Sequence, residues 1–243
     1  MTLVIGIRCK DGVIVGADRL SIKIRATRIK SYISKVTSFN FPDGRIVIVG
    51  HAGNVQDSER ALTRIDAGRY SLQPMISMEE YLEEVVEPQL SRFYIYLKES
   101  IGREPDFSLV MAGINPDQEP VMATVYANGS FDIENYSTMG VGAPFAELIL
   151  KDVNVNVMDL KTGIYLIGTL IVNASLIHTD IDGVMAGMDI LAIDKKAPKK
   201  LYQLNEQEFD SIFKVATQLR FGDLVINKLK EYLGKDQELP TTP

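Results

Sequence analysis

The second residue of the chain carries two groups that could cooperate in catalysis. Thr2 follows the initiator Met1, which methionine aminopeptidases generally remove when the next side chain is small. Removal would leave a free α-amino group beside the threonine hydroxyl, and an amine with a pKa of about 7.7 to 8.0 can take the hydroxyl proton at neutral pH. One residue would then supply both nucleophile and base. Taken alone, however, Thr2 is explained better as a β-branched residue that merely begins a strand than as a nucleophile.

The first hairpin brings Asp18 towards this terminus. Residues 2–9 alternate with period two and predict a strand, and Asp11-Gly12 is a pair favoured in two-residue hairpin turns. The returning strand would end at Asp18, opposite Ile5 and roughly 10 Å along the strand from the nucleophile. A lysine side chain could span much of that distance.

Lys35 is the candidate for that lysine. It lies between Ile33 and Val36 in a segment that reads as a strand, where a charge is costly unless it is paired. Asp18 ends a strand that is otherwise rich in apolar residues, so the two are natural partners. The spacing fits an ion pair at a reactive centre and a purely structural or solvated pair equally well.

The elements that must position these residues come in blocks. Capping boxes at Ser77 with Glu80 and at Asn205 with Glu208 mark two helix starts, and Pro88 predicts a kink. The predicted strands are 2–9, 13–18, 33–39, 45–50, 106–113, 121–126, 130–133, 188–193 and 200–204; the predicted helices are 54–70, 77 onward, 144–150, 160–176 and 206–233.

Strand blocks alternating with helix pairs, without regular strand-helix-strand units, favour antiparallel sheets covered by helices. The predicted fold class is therefore α+β, a four-layer αββα sandwich with two stacked antiparallel sheets flanked by helices. Residues 1–233 are expected to form a single domain, followed by a polar C-terminal tail at 234–243.

The charge and composition of the chain exclude several classes of partner. A net charge of −6 argues against phosphate backbones and anionic lipid, because both require clustered Lys and Arg. The longest apolar stretch, 163–174, is too short to span a membrane and predicts a buried helix. A single cysteine and no recognisable secretory signal favour a cytoplasmic protein without nucleic-acid or membrane partners.

Other reactive side chains rank lower. Cys9 falls on the apolar face of the first strand and is expected in the core, and His51 and His178 are too few for a histidine-based metal site. Four acidic residues could hold a hard cation, although solvated or capping carboxylates are the expected interpretation. They are Asp180, Asp182, Asp189 and Asp194. No metal or other cofactor is predicted.

The segment from Thr2 to Asp18 (TLVIGIRCKDGVIVGAD) resembles the start of a mature proteasome β subunit, an N-terminal-nucleophile hydrolase. Further matches are Lys35 in Ser-Lys-Val, the segments 50–56 and 140–145, and Asp182 ahead of 187–192. The clear motifs cover about a third of the chain. The resemblance implies the four-layer fold and points to a diverged archaeal homologue of the proteasome.

The resemblance also implies roles for individual residues. Thr2 Oγ would attack a substrate carbonyl, while Lys35, held by Asp18, would favour proton transfer to the amine. Gly50 would offer its backbone N–H to the oxyanion, and glycine independently suits a close approach of substrate to backbone. Asp182 would support the network around the nucleophile, provided that its loop is aligned with a one-residue gap.

Three departures from the family pattern indicate divergence. The family has serines beside the nucleophile where this chain has Val141 and Met185, and the segment 20–22 stands in place of a substrate-binding threonine. These changes leave Thr2, Asp18 and Lys35 untouched. They indicate a diverged paralogue whose preference for substrate side chains is open.

Three functions follow from this pattern. The first is a threonine-type peptidase or amidohydrolase that acts on peptide or protein through an acyl-enzyme on Thr2. The second is a transpeptidase, in which an amine resolves the same acyl-enzyme. The third is a non-catalytic ring subunit, but the α-type subunits of the family carry a helix before the first strand, and no residues are available for one here. A homo-oligomeric ring is implied by the resemblance alone.

Overall fold

Two five-stranded antiparallel sheets form the centre of the chain in the computed structural model, which describes residues 2–24, 28–68, 76–177 and 187–218. The first sheet has the order β10-β1-β2-β11-β12, and the second has the order β5-β6-β7-β8-β9. A separate hairpin of β3 and β4 follows the second strand. The strands are β1 Leu3–Cys9, β2 Gly12–Asp18, β3 Leu20–Ile24, β4 Arg28–Tyr32, β5 Val36–Asn40, β6 Ile46–Gly53, β7 Phe107–Ile114, β8 Pro120–Tyr126, β9 Phe131–Ile133, β10 Tyr136–Gly140, β11 Met188–Asp194 and β12 Tyr202–Gln203.

Helices cover the outer face of each sheet. Three of them, α4 Ala143–Leu150, α5 Leu160–Ile177 and α6 Glu206–Gln218, pack on the first sheet through residues such as Ile14 and Leu170. The second sheet is covered by α1 Val55–Gly68 and by an unbroken run of α2 Met78–Tyr81, a π segment Leu82–Val86, α3 Glu87–Tyr96 and a second π segment Leu97–Ile101. This arrangement confirms the predicted αββα sandwich.

Between the two sheets lies an apolar layer to which both contribute. Val4, Val13 and Val15 from the first sheet meet Ile48 and Val110 from the second. The strands are therefore buried on both faces, which explains why the first hairpin is apolar almost throughout. Within the described ranges, no helix has both the length and the apolar character needed to cross a bilayer.

Local sequence signals locate the helix starts correctly. The side chain of Asn54 accepts hydrogen bonds from the amides of Gln56 and Asp57 at 3.0 and 3.3 Å, which caps α1. Both predicted capping boxes are present as well, at the starts of α2 and α6. The interruption expected at Pro88 takes the form of the preceding π segment, whose wider turn accommodates a residue without an N–H. The predicted helix 206–233 is described as far as Gln218.

The prediction for the first turn is wrong by one residue. Lys10 and Asp11 form the turn, and Gly12 already pairs with Cys9 inside the hairpin. Gly12 is required elsewhere, because a Cβ there would lie 2.1 Å from the carbonyl oxygen of Ile193 on β11. The shift moves the register by two residues, so Asp18 lies beside Leu3 instead of Ile5.

The sequence analysis missed three of the strands, β3, β4 and β10. The hairpin of β3 and β4 contains Lys, Arg and Ser, and the edge strand β10 reads Tyr-Ser-Thr-Met-Gly, so neither shows the apolar alternation of a buried strand. Their pairing is nevertheless well defined, with β10 running antiparallel to β1 from Leu3 and Gly140 to Ile7 and Tyr136.

Gly140 closes this edge of the first sheet against the residue before β1. Its φ is +91°, and a Cβ would lie 2.1 Å from the carbonyl oxygen of Thr2. Only glycine combines this backbone conformation with so close an approach. Gly140 therefore determines where Thr2 lies.

Replacing Gly140 with Ala should lower the free energy of unfolding by about 3 kcal/mol or more, because backbone strain and a steric clash add together. The control is Gly102→Ala, where φ is +75° but no atom lies within 4 Å of the added Cβ. That change should cost about 1 kcal/mol. Urea denaturation of both variants measures the difference, and equal losses would show that the contact with Thr2 is unimportant.

Candidate active site

The carboxylate of Asp18 is the centre of a buried polar cluster. Its Oδ1 accepts hydrogen bonds from Thr2 Oγ at 3.0 Å, from the Leu3 amide at 2.8 Å and from Lys35 Nζ at 2.9 Å. Its Oδ2 accepts a fourth from the Leu20 amide at 3.1 Å. The Asp18 side chain has no solvent exposure, so these donors replace the water that a carboxylate would otherwise bind.

Lys35 is held by two acceptors in the same interior. Its Nζ donates to Asp18 Oδ1 and to the backbone carbonyl of Leu20. Burial lowers the pKa of Lys35 below its ordinary value, and the adjacent Asp18 carboxylate opposes this effect. The lysine is therefore a strongly confined charge whose position and protonation both depend on Asp18.

Thr2 lies at the point where this cluster meets β1. Its hydroxyl and Lys35 Nζ both lie within 3.0 Å of the same oxygen of Asp18, and the residue is only 4% exposed. The Thr2 carbonyl accepts a hydrogen bond from the Gly142 amide at 3.4 Å. The hydroxyl predicted as nucleophile is thus fixed beside the predicted lysine.

Backbone pairing sets the distances in this cluster. The corrected register of the first hairpin puts Asp18 next to Leu3, which brings its carboxylate directly to Thr2. Lys35 immediately precedes β5, and its carbonyl accepts the amide of His51 at 2.9 Å. The first sheet therefore supplies the hydroxyl and the carboxylate, and the second sheet supplies the lysine.

Gly50 lies on β6 close to this cluster but in a different setting from the one predicted. A Cβ at this position would lie 2.6 Å from Val4 Cγ1, so glycine is needed where β1 crosses β6. The His51 amide points to Lys35, next to the start of β5, and adjacent amides on a strand point in opposite directions. The Gly50 amide therefore points to β7, where Gly50 pairs with Val110. Its role as an oxyanion donor stays a prediction.

Comparison with known proteins assigns the chain to a family. The model of the proteasome subunit family matches residues 2–188. The chain belongs to the proteasome family.

Solved structures with the same fold include two Anbu proteins. One, from Yersinia bercovieri and described as an ancestral beta-subunit, is 14% identical with a TM-score of 0.72 over 99% of this chain and 100% of its own. Another is a Gly-1 mutant of Anbu from Hyphomicrobium sp. strain MC1, at 13% identity, a TM-score of 0.70 and the same two coverages.

A third structure shows Anbu in an assembly. The helical assembly of the Anbu complex from Pseudomonas aeruginosa contains a chain that is 14% identical, with a TM-score of 0.68 and 98% coverage of both chains. At such identities the likeness establishes the fold alone, and none of these sources supports an archaeal origin. A search of curated proteins found no match.

The structure describes only some of the other residues that the sequence analysis singled out. Val141, where the proteasome family has a serine, is 39% exposed beside the cluster and offers no hydroxyl. Asp182 and Met185 lie outside the described residues, as does His178, so the predicted role of Asp182 stays a prediction. Cys9 is in the core as expected, and burial raises the pKa of its thiol to about 12.

Sequence reasoning did not recognise Asp189 as part of this region. It is 6% exposed and forms an ion pair with Arg19, with 2.9 Å between its Oδ1 and Arg19 Nε. The signal was an acidic residue inside the otherwise apolar strand Met188–Asp194, because a buried charge there requires a partner. In the part of the chain that the structure describes, no three His, Cys, Asp or Glu side chains are grouped as a metal site.

A cleft opens onto the second-sheet side of the cluster. Its volume is about 670 Å³, and it runs between β5 and α1 with Lys35 and His51 in its wall. Glu59 and Asp66 on α1 face it from the other side. The cleft therefore borders the segment that carries Lys35, whereas Thr2 and Asp18 are not part of its wall.

His51 is a neutral neighbour of Lys35 in that cleft. Its Nδ1 is hydrogen bonded to Ser58 Oγ at 3.0 Å. Burial, reinforced by the positive charge of Lys35, lowers the pKa of His51 from its ordinary 6.5 to about 4. His51 therefore adds no charge to the site at neutral pH.

Lowering the pH from 7 to 5 should destabilise the fold through His51. The unfolded chain takes up a proton near pH 6.5, whereas the folded chain does so only near pH 4, so the folded state binds fewer protons between these values and loses stability as the pH falls. The contribution is about 2 kcal/mol over this interval.

Urea unfolding of the wild type and of His51→Gln at pH 7 and pH 5 isolates this contribution, because the acid dependence of the carboxylates is common to both proteins. We expect the variant to lose less stability on acidification. Parallel losses in the two proteins would contradict the burial of a neutral His51.

Proposed function

We propose that this protein is a threonine-type N-terminal-nucleophile hydrolase that cleaves amide bonds in peptide or protein substrates. The observation that carries the proposal is the sharing of one Asp18 oxygen by Thr2 Oγ and Lys35 Nζ in a buried site. Membership of the proteasome family supports a hydrolase of this general kind. The fold by itself would not be sufficient, because one fold can host many functions.

The reaction would begin after removal of Met1. The α-amine of Thr2 takes the proton from its own hydroxyl as Oγ attacks the substrate carbonyl, which forms a tetrahedral oxyanion. Collapse breaks the C–N bond, and the proton passes from the amine to the leaving group. Water then attacks the ester on Oγ, the amine again accepts and returns a proton, and the acid product leaves with Thr2 restored.

Lys35 and Asp18 would make this proton transfer favourable. A cationic Lys35 beside Thr2 stabilises negative charge that develops on Oγ and on the oxyanion. Asp18 holds Lys35 and the Thr2 hydroxyl on the same oxygen, so the relevant atoms require little rearrangement. Gly50 is proposed as an additional oxyanion donor, which would require its amide to leave the pairing with β7.

Intact-mass analysis with a peptide β-lactone tests the proposal. The wild type should lack Met1 and gain the mass of one probe, whereas Thr2→Ala should gain none. Lys35→Met should slow labelling by about 100-fold or more, because it removes the cation beside the nucleophile. The matched control is Lys98→Met, since Lys98 is exposed and pairs with Glu104 in the helical layer outside the second sheet.

A second control addresses the amine. Insertion of one glycine between Met1 and Thr2 converts the Thr2 amine into an amide, which is not basic, and should abolish labelling. Undiminished labelling of this variant, or of Thr2→Ala, would exclude the mechanism. Analysis of the released product with an added amine present distinguishes hydrolysis from transfer to that amine.

We also propose that the chain forms a homo-oligomer. The Pseudomonas aeruginosa structure with the same fold is described as a helical assembly, which supports self-association of the fold. Native mass spectrometry at several protein concentrations should show species larger than one 27.0 kDa chain. A monomer at all concentrations would contradict this proposal without affecting the chemistry at Thr2.

A further inference from the structure

Asp189 is a buried carboxylate that the proposed reaction does not use. Its Oδ1 accepts hydrogen bonds from both Nε and Nη2 of Arg19, at 2.9 and 2.5 Å. Its Oδ2 is buried and has no hydrogen-bond partner among the described residues. Arg19 balances the charge of this carboxylate, and within the described residues one of its oxygens keeps an unused acceptor.

The strand that carries Asp189 lies against the end of β2. The Gly187 carbonyl accepts a hydrogen bond from the Arg19 amide at 3.2 Å. In the strand register that follows, Met188 lies opposite Asp18 and Asp189 lies opposite Ala17. Cross-strand partners point to the same face, so Asp189 points with Ala17 into the layer between the sheets. This is the layer that β5 and Lys35 border from the other side.

Arg19 is the residue between the two groups that hold Lys35. Asp18 precedes it and supplies the carboxylate, and Leu20 follows it and supplies the carbonyl that accepts Lys35 Nζ. The Arg19 carbonyl accepts the Ile33 amide at 2.9 Å, which ties the same segment to the chain that leads to Lys35. Anchoring the Arg19 side chain therefore fixes both acceptors of the lysine.

We propose that Asp189 is a positioning residue for the Thr2 site: it anchors Arg19, which lies between the two residues that hold Lys35, and it places a second carboxylate on the strand beside Asp18. Its importance for activity rests on the proposed function, but its effect on Lys35 does not. Asp189 touches no reacting atom and acts only through Arg19 and Lys35.

The charges around Lys35 support this role. Asp18 on β2 and Asp189 on β11 favour the ammonium, and both raise the pKa of Lys35 against the larger effect of burial. Arg19 contributes an opposing positive charge, His51 on β6 is neutral, and the freed amine of Thr2 would add a further cation when protonated. When the Thr2 amine is neutral, as the proposed reaction requires, the two carboxylates balance Lys35 and Arg19, and removal of either carboxylate leaves one positive charge in excess.

Asp189→Asn tests the proposal, because asparagine can still accept a hydrogen bond from Arg19 but has no charge. ¹⁵N-lysine NMR, with Lys35 assigned by its loss in Lys35→Met, should show the ammonium of Lys35 titrating at lower pH than in the wild type. The alkaline limb of β-lactone labelling should move in the same direction. Labelling at pH 9, relative to neutral pH, should fall by about threefold or more.

Two further variants separate charge from structure. Asp194→Asn changes an exposed carboxylate at the other end of β11. Among the described contacts, its Oδ1 accepts a hydrogen bond only from the Lys196 amide. This variant should leave the Lys35 titration and the pH dependence of labelling unchanged. Arg19→Gln removes the cation while its amide can still donate a hydrogen bond to Asp189, so the anchor is kept and the titration of Lys35 should move to higher pH. A purely structural role for the pair would not give opposite shifts for the two partners.

The outcomes separate the two proposals. Superimposable Lys35 titrations in the wild type and Asp189→Asn would overturn the role of Asp189, even if labelling is normal. Shifts of the same sign in Asp189→Asn and Arg19→Gln would also overturn it. If the wild type is not labelled while the titrations shift as expected, the proposed hydrolase fails and the role of Asp189 stands. If Asp189→Asn does not fold, the direction of the Arg19→Gln shift decides.

Discussion

The ion pair between Asp18 and Lys35 constrains everything around it. Both side chains are almost free of solvent contact, and removing such charges from water costs several kcal/mol per ion unless partners replace the lost hydration. Asp18 satisfies this requirement with four donors, one of which is the hydroxyl of Thr2. The same interaction that makes a buried charge tolerable therefore places a hydroxyl beside a cation.

The packing of the two sheets makes this interaction possible. Gly6 and Gly50 occupy crossing points where a Cβ would lie 2.6 Å from Val110 Cγ1 and Val4 Cγ1. At these points the sheets approach more closely than larger residues allow. The close crossing of β1 and β6 brings the start of β1 to the segment that carries Lys35, so the absence of a side chain at Gly6 and Gly50 helps to set the geometry of the cluster.

The fold tolerates wide change in sequence provided that these constraints are met. Chains that are only 13 to 14% identical superimpose over nearly their whole length. Most core positions require an apolar residue of suitable size instead of one particular residue. A charge buried in such a core needs a specific partner, which makes the pairing of Asp189 with Arg19 more informative than the identity of any core residue.

The sequence by itself determined the elements and the existence of the central ion pair. Alternation in residues 3–9, the helix caps and the cost of an isolated Lys35 all depend on neighbouring residues or on burial, which local patterns report. From these signals came the layer order and the pairing of Asp18 with Lys35, whereas the choice of a reactive centre over a structural ion pair, and the roles of Gly50 and Asp182, came from the family resemblance.

The tertiary structure decided the register of the first hairpin and the wider charge network. Asp11 is in the turn as expected, but its partner there is Lys10, because Gly12 is required by packing on β11. The side chain of Asp11 also caps the Leu160 amide, 149 residues away. Asp189 and Arg19 are 170 residues apart in sequence. Such contacts leave no trace in local periodicity, because the energy that selects them arises only after distant strands have come together.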